Sequence, residues 1–141
     1  MYKIKIFSIG KTKESWLEEA LSEYEKRLGS LLSFEWVFAK TEQQLEHLLE
    51  RCDRFICLDP MGTQYTSEQF SCELIRFLTE GGSRLIFVIG GATGIPLSIK
   101  KKSCHLVSFS KMVFTHQISR LILVEQIYRA IEISKGSSYH K

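Results

Sequence analysis

The chain has 141 residues, 44% of them hydrophobic and 25% charged, which is enough for one domain with a real core and excludes a disordered or fibrous protein. Its longest apolar runs are far too short to span a bilayer. The net charge of +3 conceals an asymmetry: residues 1–99 carry 11 Lys and Arg against 14 Asp and Glu, and residues 100–141 carry 8 against 2.

Residues 2–9 alternate as a first strand, Ile4 and Ile6 facing one way and Lys3 and Lys5 the other. Gly10 to Lys13 turns into a helix whose apolar positions Trp16, Leu17, Ala20, Leu21, Tyr24 and Leu28 recur at helical spacing until Gly29 stops it. Phe34 to Phe38 reads as a second strand, followed by a short helix with a stripe of Leu45, Leu48 and Leu49. Arg54 to Leu58 is a third strand, ending in the turn Asp59-Pro60-Met61-Gly62, where Asp59 is expected to bond its own backbone rather than act as a catalyst. Thr66-Ser-Glu-Gln69 has the spacing of a capping box and opens a helix with Phe70, Leu74, Phe77 and Leu78 on one face.

The apolar run Leu85 to Ile89 then enters Gly90, Gly91 and Gly94. A run of this kind predicts a strand buried on both faces, and the glycines a turn whose peptide groups can lie against a ligand. In an open α/β sheet that turn falls at the carboxyl end of a strand, where ligands bind. Ile95-Pro96 leads into a short basic helix through Lys102, and His105 to Phe109 is a fifth strand. The last helix runs from about His116 to Lys135, with apolar residues on nearly its whole circumference. Such a helix must be covered on more than one side, which predicts a homodimer through it in preference to a fully intramolecular burial. Strands alternating with helices give an α/β sandwich with a largely parallel sheet in a single domain, residues 1–141.

The amino end lacks the apolar core and cleavage site of a signal peptide. The four cysteines (Cys52, Cys57, Cys72 and Cys104) contain no C-x-x-C pair and are expected to be reduced, mostly buried thiols of a cytoplasmic protein, holding no metal. The basic C-terminal third suits a polyanion such as RNA, because Lys and Arg contacts to phosphate dominate nucleic-acid affinity; a solvated run at Lys100 to Lys102 accounts for it equally well.

Taken together, Phe87-Val-Ile-Gly-Gly-Ala-Thr-Gly94, Leu106-Val-Ser-Phe-Ser-Lys-Met112, His116-Gln117, Arg120, Glu125-Gln-Ile-Tyr-Arg-Ala130 and the terminal Tyr139-His-Lys141 resemble one family. It is the large-subunit rRNA methyltransferase H family, of the SPOUT class. Ile9-Gly-Lys-Thr-Lys13 and Glu23-Tyr-Glu-Lys-Arg-Leu28 extend the resemblance to the amino end. Thr115 stands where the family usually has proline, Val113 where threonine is common, and the stretch from Ala39 to Cys52 is shorter than is typical.

The resemblance implies methylation of N3 of a pseudouridine in 23S rRNA, with S-adenosylmethionine as donor and the assembled ribosome as partner. It also implies a C-terminal trefoil knot over roughly residues 85–135, one of the rare exceptions to unknotted topology. By the same resemblance Leu58, Gly90 and the run Phe109, Ser110, Lys111, Met112, Val113 and Phe114 bind the cofactor. Without it, plain core packing is the reading of Leu58 and Phe114. His140, Tyr139, Arg129 and Lys141 are the implied catalytic group: His140 as base, its ordinary pKa lying near neutrality, and Arg129 as a cation for the uridine anion or for phosphate. His116 reads equally as a helix cap or a functional residue, and Arg120 as a dimer-interface cation or an RNA contact. The alternative from another class is a non-catalytic rRNA-binding protein on the same fold. A dinucleotide enzyme is the poorer third, since no first-strand G-x-G-x-x-G is present.

Overall fold

A computed structural model describes residues 1–140. Five strands form one sheet in the order β2-β1-β4-β3-β5, all parallel: β1 (Tyr2–Ile9), β2 (Leu32–Ala39), β3 (Ile56–Gln64), β4 (Arg84–Ile89) and β5 (His105–Ser108). The helices are α1 (Ser15–Leu28), α2 (Glu42–Leu49), α3 (Ser67–Glu80), α4 (Leu97–Lys102) and α5 (His116–Ser134). Strand β4, which leads into the glycine turn, lies at the centre, between β1 and β3, which is why its sequence is apolar without alternation.

Both faces of the sheet are covered. Leu17 and Leu21 of α1, Phe70, Leu74, Phe77 and Leu78 of α3 and the buried face of α5 close one side over Ile4, Ile6 and Phe87. On the other, Leu45 and Leu49 of α2 and Ile99 of α4 pack on Phe7, Phe55, Cys57 and Val88. The capping box at the head of α3 is complete: Thr66 Oγ1 accepts from the Gln69 amide and Gln69 Oε1 accepts from the Thr66 amide.

Three local expectations need correction. Trp16, placed on the apolar stripe of α1, is 49% exposed, because only Leu17, Leu21 and Leu28 of that helix reach the sheet closely enough to be buried. Strand β3 does not end at Leu58. It bulges at Asp59 to Gly62 and then resumes, so that Leu58 and Thr63 both stand opposite Val107 of β5. The bulge requires glycine at position 62, where a β-carbon would lie 2.6 Å from the Leu106 carbonyl carbon. Finally, Cys72 and Cys104 are exposed, and only Cys57 is fully buried.

All four thiols are free, and burial pushes the Cys57 thiol up to about 12, so almost no thiolate forms there near neutrality. A disulfide reagent at pH 8 should therefore titrate Cys72 and Cys104 rapidly in the native protein and Cys57 only after denaturation. Rapid reaction of Cys57 in the native protein would contradict this packing.

Candidate functional site

Three loops meet beyond the carboxyl ends of the central strands and enclose a cavity of about 470 Å³. The first is the β3 bulge, contributing Leu58, Asp59 and Pro60. The second is the glycine turn after β4, from Gly90 to Ile95, and the third the β5–α5 connection, running on to His116 and Ser119 in the first turn of α5. Its size is that of a small-molecule site, and its position is where open α/β sheets bind ligands.

Each loop is held by its own bonds. Asp59 Oδ2 accepts from the Met61 amide at 3.1 Å, the self-bonded turn expected from the sequence, while Oδ1 pairs with Lys100 Nζ at 3.3 Å. The glycine turn closes through the Gly94 amide donating to the Gly91 carbonyl at 3.0 Å, and Thr93 Oγ1 ties it to Glu42 of α2. Gly90 is fixed by space: a β-carbon there would stand 2.5 Å from the carbonyl carbon of Gly94. In the third loop Ser108 Oγ donates to the Ser110 carbonyl and Ser110 Oγ accepts from the Met112 amide. Thr115, a departure from the resembled pattern, caps α5 by accepting from the Ile118 amide at 3.2 Å. The cap is therefore Thr115 and not His116, which lies in the cavity wall instead.

Seven of the eight residues named for cofactor binding line this cavity; the eighth, Lys111, is exposed and lies outside its lining. Leu58, Ile89, Val107 and Phe109 give it apolar walls, and the backbone of the glycine turn gives it polar ones. Met112 and Val113 are 73% and 79% exposed at its mouth. Of the two readings of His116, the cavity wall favours the functional one; Ser119 was missed, although its spacing of three from His116 on one helix was a signal that both face the same way.

The other candidate group gathers elsewhere. Tyr139 donates to Glu125 Oε2 at 2.9 Å and packs edge-on against Tyr128, with ring centroids 4.8 Å apart. The Arg129 guanidinium pairs with Glu125 at 2.9 Å, lies over the Tyr139 ring, and stands 3.0 Å from His140 Nδ1. His140 Nε2 in turn meets Glu68 Oε1 of α3 at 2.6 Å. The Glu125 carboxylate raises the Arg129 pKa, while burial, then the bond to Glu125, raises the Tyr139 hydroxyl, so both stay protonated at neutral pH.

None of these three lines the cavity, and Lys141 lies outside the described residues. Along α5, Glu125 and Arg129 are about 9 to 20 Å from Ser119 and His116. The connection between the two groups is α3, where Glu68 holds His140 and Phe70 packs edge-on against Phe109 of the cavity wall.

Arg120 belongs to neither class expected for it. It is fully buried, neither at an exposed dimer face nor open to RNA, and its guanidinium bonds to Ser8 and Thr12 hydroxyls and to the Ile9 carbonyl. Among the described residues no group of three or more His, Cys, Asp or Glu is arranged to hold a metal, and no helix is long and apolar enough to cross a membrane.

Residues 2–140 match the sequence model of a family described as predicted SPOUT methyltransferase. The chain is 52% identical, over the whole of both chains, to the ribosomal RNA large subunit methyltransferase H of Protochlamydia amoebophila. It is 38% identical to the proteins of the same name from Streptococcus thermophilus and Streptococcus uberis, over 99% of each chain.

Proposed function

The chain belongs to the SPOUT methyltransferase family, and from that premise we propose that it methylates N3 of a pseudouridine in 23S rRNA, using S-adenosylmethionine. The observation that carries this reading is the three-loop cavity at the sheet's carboxyl edge. It suits the donor: apolar walls at Leu58, Ile89, Val107 and Phe109 match a purine, and the peptide groups from Gly90 to Gly94 match its polar ends. S-adenosylmethionine supplies, when bound, a methyl group on a positively charged sulfur.

The residues of this chain have two tasks. The loops hold donor and acceptor in line and keep water out. The acceptor, an imide nitrogen, becomes nucleophilic only when its proton leaves, and His140 is the group we assign to take it. Arg129, held between Glu125 and His140, would orient that imidazole and stabilise the resulting anion. Tyr139, protonated and bonded to Glu125, anchors the tail.

Because the tail and the cavity stand apart within one chain, the proposal includes a homodimer through α5 that brings the tail of one copy to the cavity of the other. The exposed Phe114 and Ile118 beside the cavity support that arrangement. The trefoil knot expected over residues 85–135 belongs to the same reading. The relatives' names, which speak of ribosomal RNA of the large subunit, support that RNA as the substrate; the assembled ribosome, in the cytoplasm, is the form we expect to be used.

The test is transfer of labelled methyl from S-adenosylmethionine to ribosomes, large subunits and naked rRNA from cells lacking this gene. Label in a single pseudouridine, chiefly with whole ribosomes, is the expected result. No label in any of the three, with RNA binding intact, would replace this reading by that of a non-catalytic rRNA-binding protein.

A further inference from the structure

The connection between β1 and α1, Gly10 to Lys13, is an exposed loop held from beneath by a buried cation. Arg120 is 0% exposed, donates to Ser8 Oγ at 2.9 Å, Thr12 Oγ1 at 3.0 Å and the Ile9 carbonyl at 3.1 Å, and bonds the Gly10 carbonyl as well. Its guanidinium lies 5.0 Å from the centre of the Phe38 ring. Gln117, one helical turn away, completes the hold: Nε2 donates to the Lys11 carbonyl at 3.0 Å, and Oε1 accepts from the Lys13 amide at 3.4 Å. The loop's carbonyls are thereby turned inward, and the Lys11 and Lys13 side chains are left outside.

The charge here is unbalanced. Among the described residues, none of Lys11, Lys13, His116 and Arg120 makes an ion pair, and of the lysines and arginines without one only Arg120 is buried. Burial pushes Arg120 down to about 10, so it still carries its charge at neutral pH with no carboxylate beside it. Burial, with Arg120 and Lys13 nearby, holds His116 below the ordinary histidine range. A buried guanidinium is usually matched by an acid of its own chain; one that is not leaves a positive field for an anion from outside. The loop also adjoins the cavity: the Ile9 side chain faces the glycine turn, so that a β-carbon added at Gly91 would stand 3.5 Å from it, and His116 lines the cavity wall.

We propose that the Gly10–Lys13 loop is a clamp for the RNA backbone, Lys11 and Lys13 meeting phosphates next to the nucleotide being modified and Arg120 acting as the positioning residue that fixes the loop. This rests on the methyl-transfer reading for its location but not for its test. A single strand crossing the cavity mouth carries a charge on every nucleotide, so two lysines held a fixed distance apart meet successive phosphates without reading sequence.

The experiment compares the wild-type chain with Lys11→Gln/Lys13→Gln, Lys11→Arg/Lys13→Arg and Arg120→Lys, measuring affinity for large ribosomal subunits and for naked 23S rRNA across a salt series. S-adenosylmethionine affinity is measured alongside by calorimetry. The glutamine pair should weaken RNA binding on the order of 10- to 100-fold at about 0.1 M salt and flatten the log–log salt slope by about 2, with donor affinity retained. The arginine pair should restore both. Arg120→Lys keeps the charge but loses the ties to the loop, so it should also weaken RNA binding with donor affinity retained. A salt slope unchanged in the glutamine pair would overturn the clamp. If the wild-type chain binds RNA with this slope but transfers no methyl, the methyl-transfer reading fails and the clamp stands.

Discussion

Gly90→Ala is expected to leave a protein that folds but transfers methyl on the order of 100-fold more slowly. The added carbon would stand 2.5 to 2.7 Å from the Gly94 carbonyl and the Ile95 nitrogen, all backbone atoms that no rotamer change can move aside. The turn from Gly90 to Gly94 must therefore open, and it forms one wall of the cavity. A displacement of about 1 Å in a positioning loop is sufficient for a loss of this size. Overpacking of this kind also costs about 1 to 3 kcal/mol of stability. Gly91→Ala is the companion variant: the atoms nearest its added carbon belong to the Ile9 side chain, at an ordinary contact distance of 3.5 Å, so it should unfold at the wild-type denaturant concentration. The checks are chemical denaturation of both variants and protection of Gly90→Ala against heat by S-adenosylmethionine. Full protection in Gly90→Ala would show that this turn does not shape the donor site.

His140→Ala should lower turnover by roughly 10²- to 10⁴-fold, the usual contribution of a positioned base, while donor affinity stays near that of the wild type. The separation of the two effects follows from the structure: His140 is bonded to Arg129 and Glu68 and contributes nothing to the cavity wall. Single-turnover methyl transfer with saturating donor measures the first effect, and calorimetry the second. Unchanged turnover would remove His140 as the base and leave Arg129 as the group to test next. A parallel fall in donor affinity would mean instead that the tail packs on the donor.

The sheet and its helices were legible because their signals are local. The capping box at Thr66 and Gln69 needs four residues to be read, and the buried run Leu85 to Ile89 only five. The cavity was legible from motifs that happen to lie at strand ends, and resemblance, not spacing, added the tail. What could not be read depends on distant partners. Thr63 and Gln64 return to the sheet only because β5 passes beside them. Trp16 has the spacing of a core residue, but nothing comes across to cover it. Arg120 sits among apolar neighbours in the sequence, and its burial depends on a pocket of oxygens supplied from residues 8 to 12.

That last arrangement bears on how a newly made chain reaches its final form. The bonds from Arg120 to the β1 end and its loop cross 108 to 112 positions, so the first-made strand waits for the last-made helix. Until α5 emerges, the inner faces of α1 and α3 lack the helix that packs with them over Ile4 and Ile6, and the oxygens that receive the guanidinium have no partner from it. Stable structure should therefore come only after synthesis ends, and slowly, as for any chain whose decisive contacts are far apart along it. A ribosome-held fragment ending at Thr115 should be cut readily by protease within β1, where the finished protein resists.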